Sequence, residues 1–292
     1  MIAGPQRPRA RAAGDDYPPP RGLGRAAHYA ALWLLGALFV LPLFWMVSSS
    51  LKPDYEIFAN PPVWWPSSPR WANYVEALTA QPFGRYTLNT LIIALASVAG
   101  HVLSCTVVAY GFARLHAPGR EPLFLLVLAT LMLPYPVTMV PLYILFARLG
   151  WVNTFLPLIV PTFFGNALYI FLLRQFFLQL PSEVEDAAQI DGASLPQILW
   201  YIILPMATPA LATVMIFSFQ AAWNDFLGPL IFLQDQSKYT LMLGLSLFRG
   251  SYQIEWAHLL AASLVVMLPV IVLFFAAQRA FIEGINLAGV RN

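Results

Sequence analysis

Residues 88–113 read LNTLIIALASVAGHVLSCTVVAYGFA, twenty-six positions without an Asp, Glu, Lys or Arg. As a helix rising 1.5 Å per residue the run is about 39 Å long, enough to cross a hydrocarbon core of about 30 Å. An open strand would leave backbone groups unpaired in lipid, so the run is expected to be helical. Five more stretches of comparable apolarity flank it, at His28–Leu51, Leu123–Ala147, Phe155–Leu178, Ala207–Leu233 and His258–Phe281. The fold expected is therefore all-α, a polytopic membrane protein with six transmembrane helices. Composition agrees: of 292 residues 59% are hydrophobic and 10% charged, too few charges to cover a soluble globule of this length. An ordinary soluble enzyme is excluded. A net charge of +2 with scattered basic residues offers no stripe to neutralise phosphates, which argues against a nucleic-acid partner. Cys105 stands alone, and His28, His101, His116 and His258 are far apart, so neither an internal disulfide nor a metal site is expected.

Residues 1–27 carry Pro18, Pro19 and Pro20 in a row with arginines between small residues. Such a segment cannot bury enough apolar surface to offset its ordering entropy and is expected to be a disordered tail. The apolar stretch that follows is long enough to span, unlike the short core of a cleavable signal. Residues 28–282 form the six-helix domain and 283–292 a second tail. Six spans place both termini on one side. With the termini inside, ten basic residues (Arg7, Arg9, Arg11, Arg21, Arg25, Arg114, Arg120, Arg174, Arg279 and Arg291) lie inside. Six (Lys52, Arg70, Arg85, Arg148, Lys238 and Arg249) lie outside. The excess predicts a cytoplasmic location for both termini. The first outside loop carries Trp64, Trp65 and Trp71, as an interfacial aromatic belt would. Prolines within the spans are expected mostly to kink them as packing features.

Between the fourth and fifth spans lies PSEVEDAAQIDGASLPQILWYIILPMATP, residues 181–209. Two short helices are predicted, one opened by a Ser182/Glu185 capping box and one by Ser194/Gln197, with Gly192 as the left-handed stop between them. Val184, Ala187 and Ala188 fall on one narrow stripe flanked by Glu183, Asp186 and Asp191. Small side chains admit close approach of another surface, so the loop of about residues 181–204 suits docking into a groove of a soluble partner. A solvated connecting loop is the plainer alternative.

The run Glu185-Asp186-Ala187-Ala188-Gln189-Ile190-Asp191-Gly192-Ala193-Ser194, followed by Leu204-Pro205 and Pro209, resembles the signature loop of permease subunits of bacterial ATP-binding-cassette importers. Asn60-Pro61-Pro62, Asn73-Tyr74, Asn89-Thr90-Leu91, Trp223-Asn224-Asp225-Phe226-Leu227, Pro229-Leu230, Gly284-Ile285 and Gly289-Val290 extend the resemblance to the second, shorter permease of carbohydrate importers of the maltose type. The chain departs at Asp186, where the family usually has Glu, and at Arg291-Asn292, where it usually ends in Lys-Gly. The resemblance implies a subunit of the bacterial cytoplasmic (inner) membrane. Its partners would be a homologous second permease, two copies of a cytoplasmic ATPase and an extracytoplasmic solute-binding protein. This chain would bind no cofactor; ATP and Mg would be used by the ATPase. Glu183, Glu185, Asp186, Ala187, Ala188, Asp191, Gly192, Ala193 and Ser194 would form the coupling loop, with Asp186 and Asp191 toward the ATPase and Ala187 and Ala188 as its close-contact face.

A charge in mid-membrane costs about 2.5–3.5 kcal/mol on insertion scales, so one found there asks for a purpose. Asp225 is the only acidic residue well within an expected span. With Trp223 and Asn224 it is the candidate solute pathway or outer gate; pairing with a partner subunit or water is the competing reading. His101 reads as a packing residue. No Gly-Lys-Ser/Thr phosphate loop accompanies Lys52 or Lys238, so ATP hydrolysis is not expected in this chain. The alternative function is a proton- or ion-coupled secondary transporter acting alone, which would normally carry a chain of carboxylates or histidines through the spans, where this sequence has one Asp and one His.

Overall fold

The computed structural model describes residues 23–250 and 254–289. Most of the expected tail lies outside these residues, as do Arg291 and Asn292. The elements are α1 (Leu23–Ser50), α2 (Asp54–Ile57), α3 (Ala72–Ala80), α4 (Phe83–Arg114), α5 (Arg120–Ala129), α6 (Tyr135–Arg148), α7 (Leu156–Ile159), α8 (Ala167–Phe177), α9 (Glu183–Ile190), α10 (Leu195–Ile198), α11 (Leu204–Met206), α12 (Thr208–Trp223), α13 (Leu227–Phe232), α14 (Leu241–Ser246) and α15 (Trp256–Gly289). The last helix runs past the boundary expected at 282.

Among the described residues four helical segments are each long and apolar enough to cross a membrane: Arg25–Ser50, Phe83–Arg114, Leu156–Phe177 and Trp256–Ala276. Two bent pairs complete the six-span reading. Arg120–Met132 meets Tyr135–Arg148 at 96°, and Leu195–Met206 meets Thr208–Trp223 at 82°. The third and fifth stretches thus bend near their prolines as expected, each at close to a right angle. Leu133 precedes Pro134 and is extended (φ −81°, ψ 112°), the conformation a following proline imposes. By contrast Pro42 and Pro269 lie inside continuous helices. The fifth stretch ends early: α12 stops at Trp223, and Asn224 to Phe226 form a break before α13.

α4 is the central element, packing against α8, α12 and the turn at Val160–Phe164, while α15 packs against α12, α1 and α3. Two apolar clusters result. One gathers Cys105, Ala109, Tyr110, Leu173, Phe177, Ala188, Ile198 and Val214 toward the end of the molecule that carries α9. The other gathers Ala77, Phe83, Tyr86, Trp223, Leu241 and Ala261 at the opposite end. Between them His101 on α4 lies 2.7 Å from the Ser218 hydroxyl on α12, with its ring edge-on to Tyr169. α1 is apolar and exposed along residues 25–44, a surface that lipid or a neighbouring subunit would cover. After α1 the chain folds back: Ser48 Oγ donates to the Trp64 carbonyl, and Asn73 Nδ2 to the Ser50 and Lys52 carbonyls at 2.8 and 3.0 Å. Trp64, Trp65 and Trp71 are exposed there.

Candidate functional site

α9 is anchored on one side and open on the other. Gly192 stops it with φ +85°, a conformation that strains residues bearing a Cβ. The first expected capping box is absent: Ser182 is helical (φ −71°, ψ −26°) and its side chain makes no capping bond. Glu185 is drawn away to Arg114 at the end of α4, whose Nε lies 2.8 Å from Oε1. That contact is an ion pair off the axis of a hydrogen bond. The phenol of Tyr110 donates to Glu185 Oε2 at 3.3 Å, and Arg114 Nη2 donates to the Leu180 carbonyl at 2.6 Å. At the second helix Gln197 Oε1 accepts from both the Ser194 N–H and its hydroxyl, each at 2.8 Å.

This anchoring divides the expected loop residues. Glu185, only 6% exposed, and Ala188 face the body of the protein; Glu183, Asp186, Ala187, Asp191, Gly192 and Ser194 are exposed and Ala193 is half-buried. Ala188 therefore does not belong to the outward close-contact face expected of it, because it fills the cluster containing Phe177 and Ile198. The outward apolar face is instead Val184, Ala187 and Ile190, the last 87% exposed.

The second candidate site lies at two helix breaks. A cavity of about 500 Å³ is lined by Tyr135 from the α5–α6 bend, Pro157 and Pro161 from the α7 region, and Asn224, Asp225 and Phe226 after α12. Asp225 Oδ1 accepts the Gly228 N–H at 3.1 Å and so caps α13, while Asn224 Nδ2 donates to the Gln220 carbonyl at 2.9 Å. The cavity thus offers a carboxylate and a carboxamide set among aromatic and proline walls. Trp223 is not part of it. That residue is 2% exposed, stacked on Phe219 with its indole N–H donated to Val266 O, because a buried indole needs both an apolar bed and an acceptor.

Residues 105–286, from the middle of α4 to the last helix, match the family described as binding-protein-dependent transport system inner membrane component. The chain belongs to that family. It is 37% identical over 258 residues to a probable ABC transporter permease protein of Pyrococcus horikoshii, covering 86% of this chain and 92% of the relative. It is 34% identical to the diacetylchitobiose uptake system permease protein of Streptomyces coelicolor, covering 89% and 87%. A sulfoquinovosyl glycerol transport system permease protein of Agrobacterium fabrum is 31% identical, covering 90% and 92%. The crystal structure of a bacterial ABC transporter involved in import of the acidic polysaccharide alginate contains a chain of the same fold, with TM-score 0.77, 21% identity and 87% and 95% coverage. The protein is thus a multi-pass inner-membrane permease subunit, a transport component and not a catalytic one.

Three permease residues escaped the sequence reading. Tyr110 and Arg114 are four apart, so they share a helix face, and Arg114 ends an apolar span. Both signals were visible, but their shared partner Glu185 is 75 positions on from Tyr110 and 71 from Arg114. Arg174 is similar: it sits 4.1 Å above the Phe124 ring, pairs with Glu121 at 3.1 Å and donates Nε to the Phe112 carbonyl, joining α8 to α5 and α4.

Proposed function

We propose that this permease pairs with a homologous second permease to form the pathway of an ATP-driven importer for a sugar, oligosaccharide or polyol-type solute. The observation that carries the reading is the form of α9. Its inner face is bound to α4, and its outer face leaves Val184, Ala187 and Ile190 exposed among Glu183, Asp186 and Asp191. An apolar stripe bordered by acid groups is suited to a groove on an ATPase with basic residues at its rim. On this reading α9 and both termini are cytoplasmic, and the chain is the shorter permease of the heterodimer, a place supported by its resemblance to that subunit of maltose-type systems. Two ATPase copies use ATP and Mg. A binding protein delivers solute at the opposite face.

The solute class is supported by relatives whose names specify diacetylchitobiose, sulfoquinovosyl glycerol and arabinooligosaccharides. It also fits the cavity, since a carboxylate and an amide can take hydroxyl hydrogen bonds while aromatic walls cover C–H surfaces. Transport then proceeds by alternating access, with the ATPase favouring one of two arrangements of the spans. Tagging the chain in its native membranes, extracting it in mild detergent and assaying vanadate-sensitive ATP hydrolysis tests the assignment. Co-purification of a second permease and an active ATPase supports it. A lone chain without ATPase, even after crosslinking before extraction, returns the weight to a self-sufficient secondary transporter.

A further inference from the structure

α4 runs from Phe83 to Arg114 without a proline or a break, about 48 Å at 1.5 Å per residue. The third, fourth and fifth spans are each bent or interrupted. α1 and α15 are also continuous, but the Tyr110 and Arg114 side chains that bind the Glu185 carboxylate of α9 belong to α4.

Its last turns grip α9 through two side chains. Arg114 reaches both the carbonyl of Leu180, where the chain enters the loop, and the carboxylate of Glu185 on the helix itself. Tyr110, one turn earlier, takes the other carboxylate oxygen. A cation at a helix C-terminus also meets the negative end of the helix dipole, and the low exposure of Glu185 spares the pair from the screening that weakens surface ion pairs. At the other end α4 grips residues 236–241. Asn89 Nδ2 donates to the Ser237 and Tyr239 carbonyls at 3.0 and 2.9 Å, the Leu241 N–H donates to Thr90 Oγ1 at 2.9 Å, and Gln236 Nε2 donates to the Tyr86 hydroxyl at 3.1 Å.

From these clamps we infer that α4 is the strut that carries displacement of α9 across the membrane to the segment 236–241 on the opposite face, with Arg114–Glu185 as its inner joint. Arg114, Glu185 and Tyr110 are positioning residues in this scheme. The inference rests on the proposed role of α9 as the helix moved by an ATPase. A helix held at both ends moves as a unit, so a push at one end appears at the other without a chain of rearrangements between them. Asp186, adjacent to Glu185 but exposed, remains free to face the ATPase, so the two neighbouring acids divide the inner and outer contacts of α9.

The test uses the complete complex, otherwise wild-type, with spin labels at Gln189→Cys, an exposed position of α9 beside its outward apolar face, and Gln234→Cys beside the gripped segment, in nucleotide-free and vanadate-trapped states. The strut predicts a distance that stays constant while ATPase-driven transport proceeds; a change of several ångström overturns it. Arg114→Gln and Glu185→Gln in reconstituted complex are expected to lower solute transported per ATP at least tenfold, and the exchanged pair Arg114→Glu/Glu185→Arg to recover most of that loss. A wild-type ratio in both single variants overturns the joint, as does an assembled exchanged pair that recovers nothing. A wild-type chain that brings no ATPase with it refutes the functional reading itself, a result distinguishable from all of these.

Discussion

The indole N–H of Trp223 on α12 donates to the main-chain carbonyl of Val266 on α15 across 3.2 Å. This bond joins the last turn of one spanning helix to the middle of another, inside the cluster that also holds Tyr86 and Phe83. Trp223→Phe keeps most of the ring volume and loses the bond, an expected cost of about 1 kcal/mol. Trp223→Ala opens a cavity and is expected to cost about 3–5 kcal/mol. Unfolding of the purified subunit in detergent separates the two. Transport KM should be unchanged in Trp223→Phe, since the residue packs and does not face the cavity.

Asp225 combines two tasks that substitution can part. Asn at 225 keeps a side-chain oxygen for the Gly228 N–H and discards the charge, whereas Ala discards both. If the carboxylate meets solute hydroxyls, Asp225→Asn raises transport KM about tenfold, the loss of one charge-assisted hydrogen bond, with α13 still capped. Uptake measured in proteoliposomes containing the full complex reads this. An unchanged KM in Asp225→Asn assigns the residue to capping alone.

The loop between α9 and α10 depends on Gly192. Gly192→Ala is expected to cost about 1–2 kcal/mol in the left-handed conformation, and Gly192→Pro cannot adopt it at all, since its ring holds φ near −65°. Ala188→Trp overfills the seat beside Phe177 and Ile198. Both Gly192→Pro and Ala188→Trp should insert in the membrane at normal levels yet lose ATPase co-purification or transport. Wild-type transport by both variants counts against the coupling role of this loop.

The six spans were legible because apolar length alone reports them, and so was Gly192, since few residues tolerate that turn. Which prolines would bend them sharply was not. Pro134 breaks a helix that Pro42 and Pro269 do not break in theirs, and proline count cannot say which ring falls where neighbouring helices permit a gap. The Ser182/Glu185 spacing satisfied a local capping rule, but an arginine distant in sequence offered Glu185 a charge and took it. Trp223, expected beside the solute with Asn224 and Asp225, turns the other way, because adjacent residues at the end of a helix point about 100° apart and only one direction faces the cavity.

On the face opposite α9, Arg70 Nη2 bonds both oxygens of Glu76 at 2.9 and 3.0 Å, and His258 Nε2 lies 3.1 Å from Oε2 while its Nδ1 meets Glu255 at 2.9 Å. Hydrogen bonding from His258, then from Arg70, holds the Glu76 carboxyl below its ordinary 4.5. A carboxyl depressed in the folded state lends its stabilisation fully above its unfolded value and loses it as pH falls through the folded one. On the acid side α3 should therefore loosen from α15 progressively as pH falls below 4.5, with Glu76→Gln loose throughout that range. Spin labels at Val75→Cys and Leu268→Cys, both exposed, report the separation across pH.

The central claim is that the outward face of α9 meets an ATPase that drives transport. Ile190 is exposed and the one native thiol, Cys105, is buried, so Ile190→Cys with a short thiol-reactive photocrosslinker probes that face directly in native membranes. The account predicts a crosslinked product containing the ATPase, whose yield changes between nucleotide-free and vanadate-trapped states. A product confined to this chain and lipid, with an ATPase present in the same membranes, would contradict it.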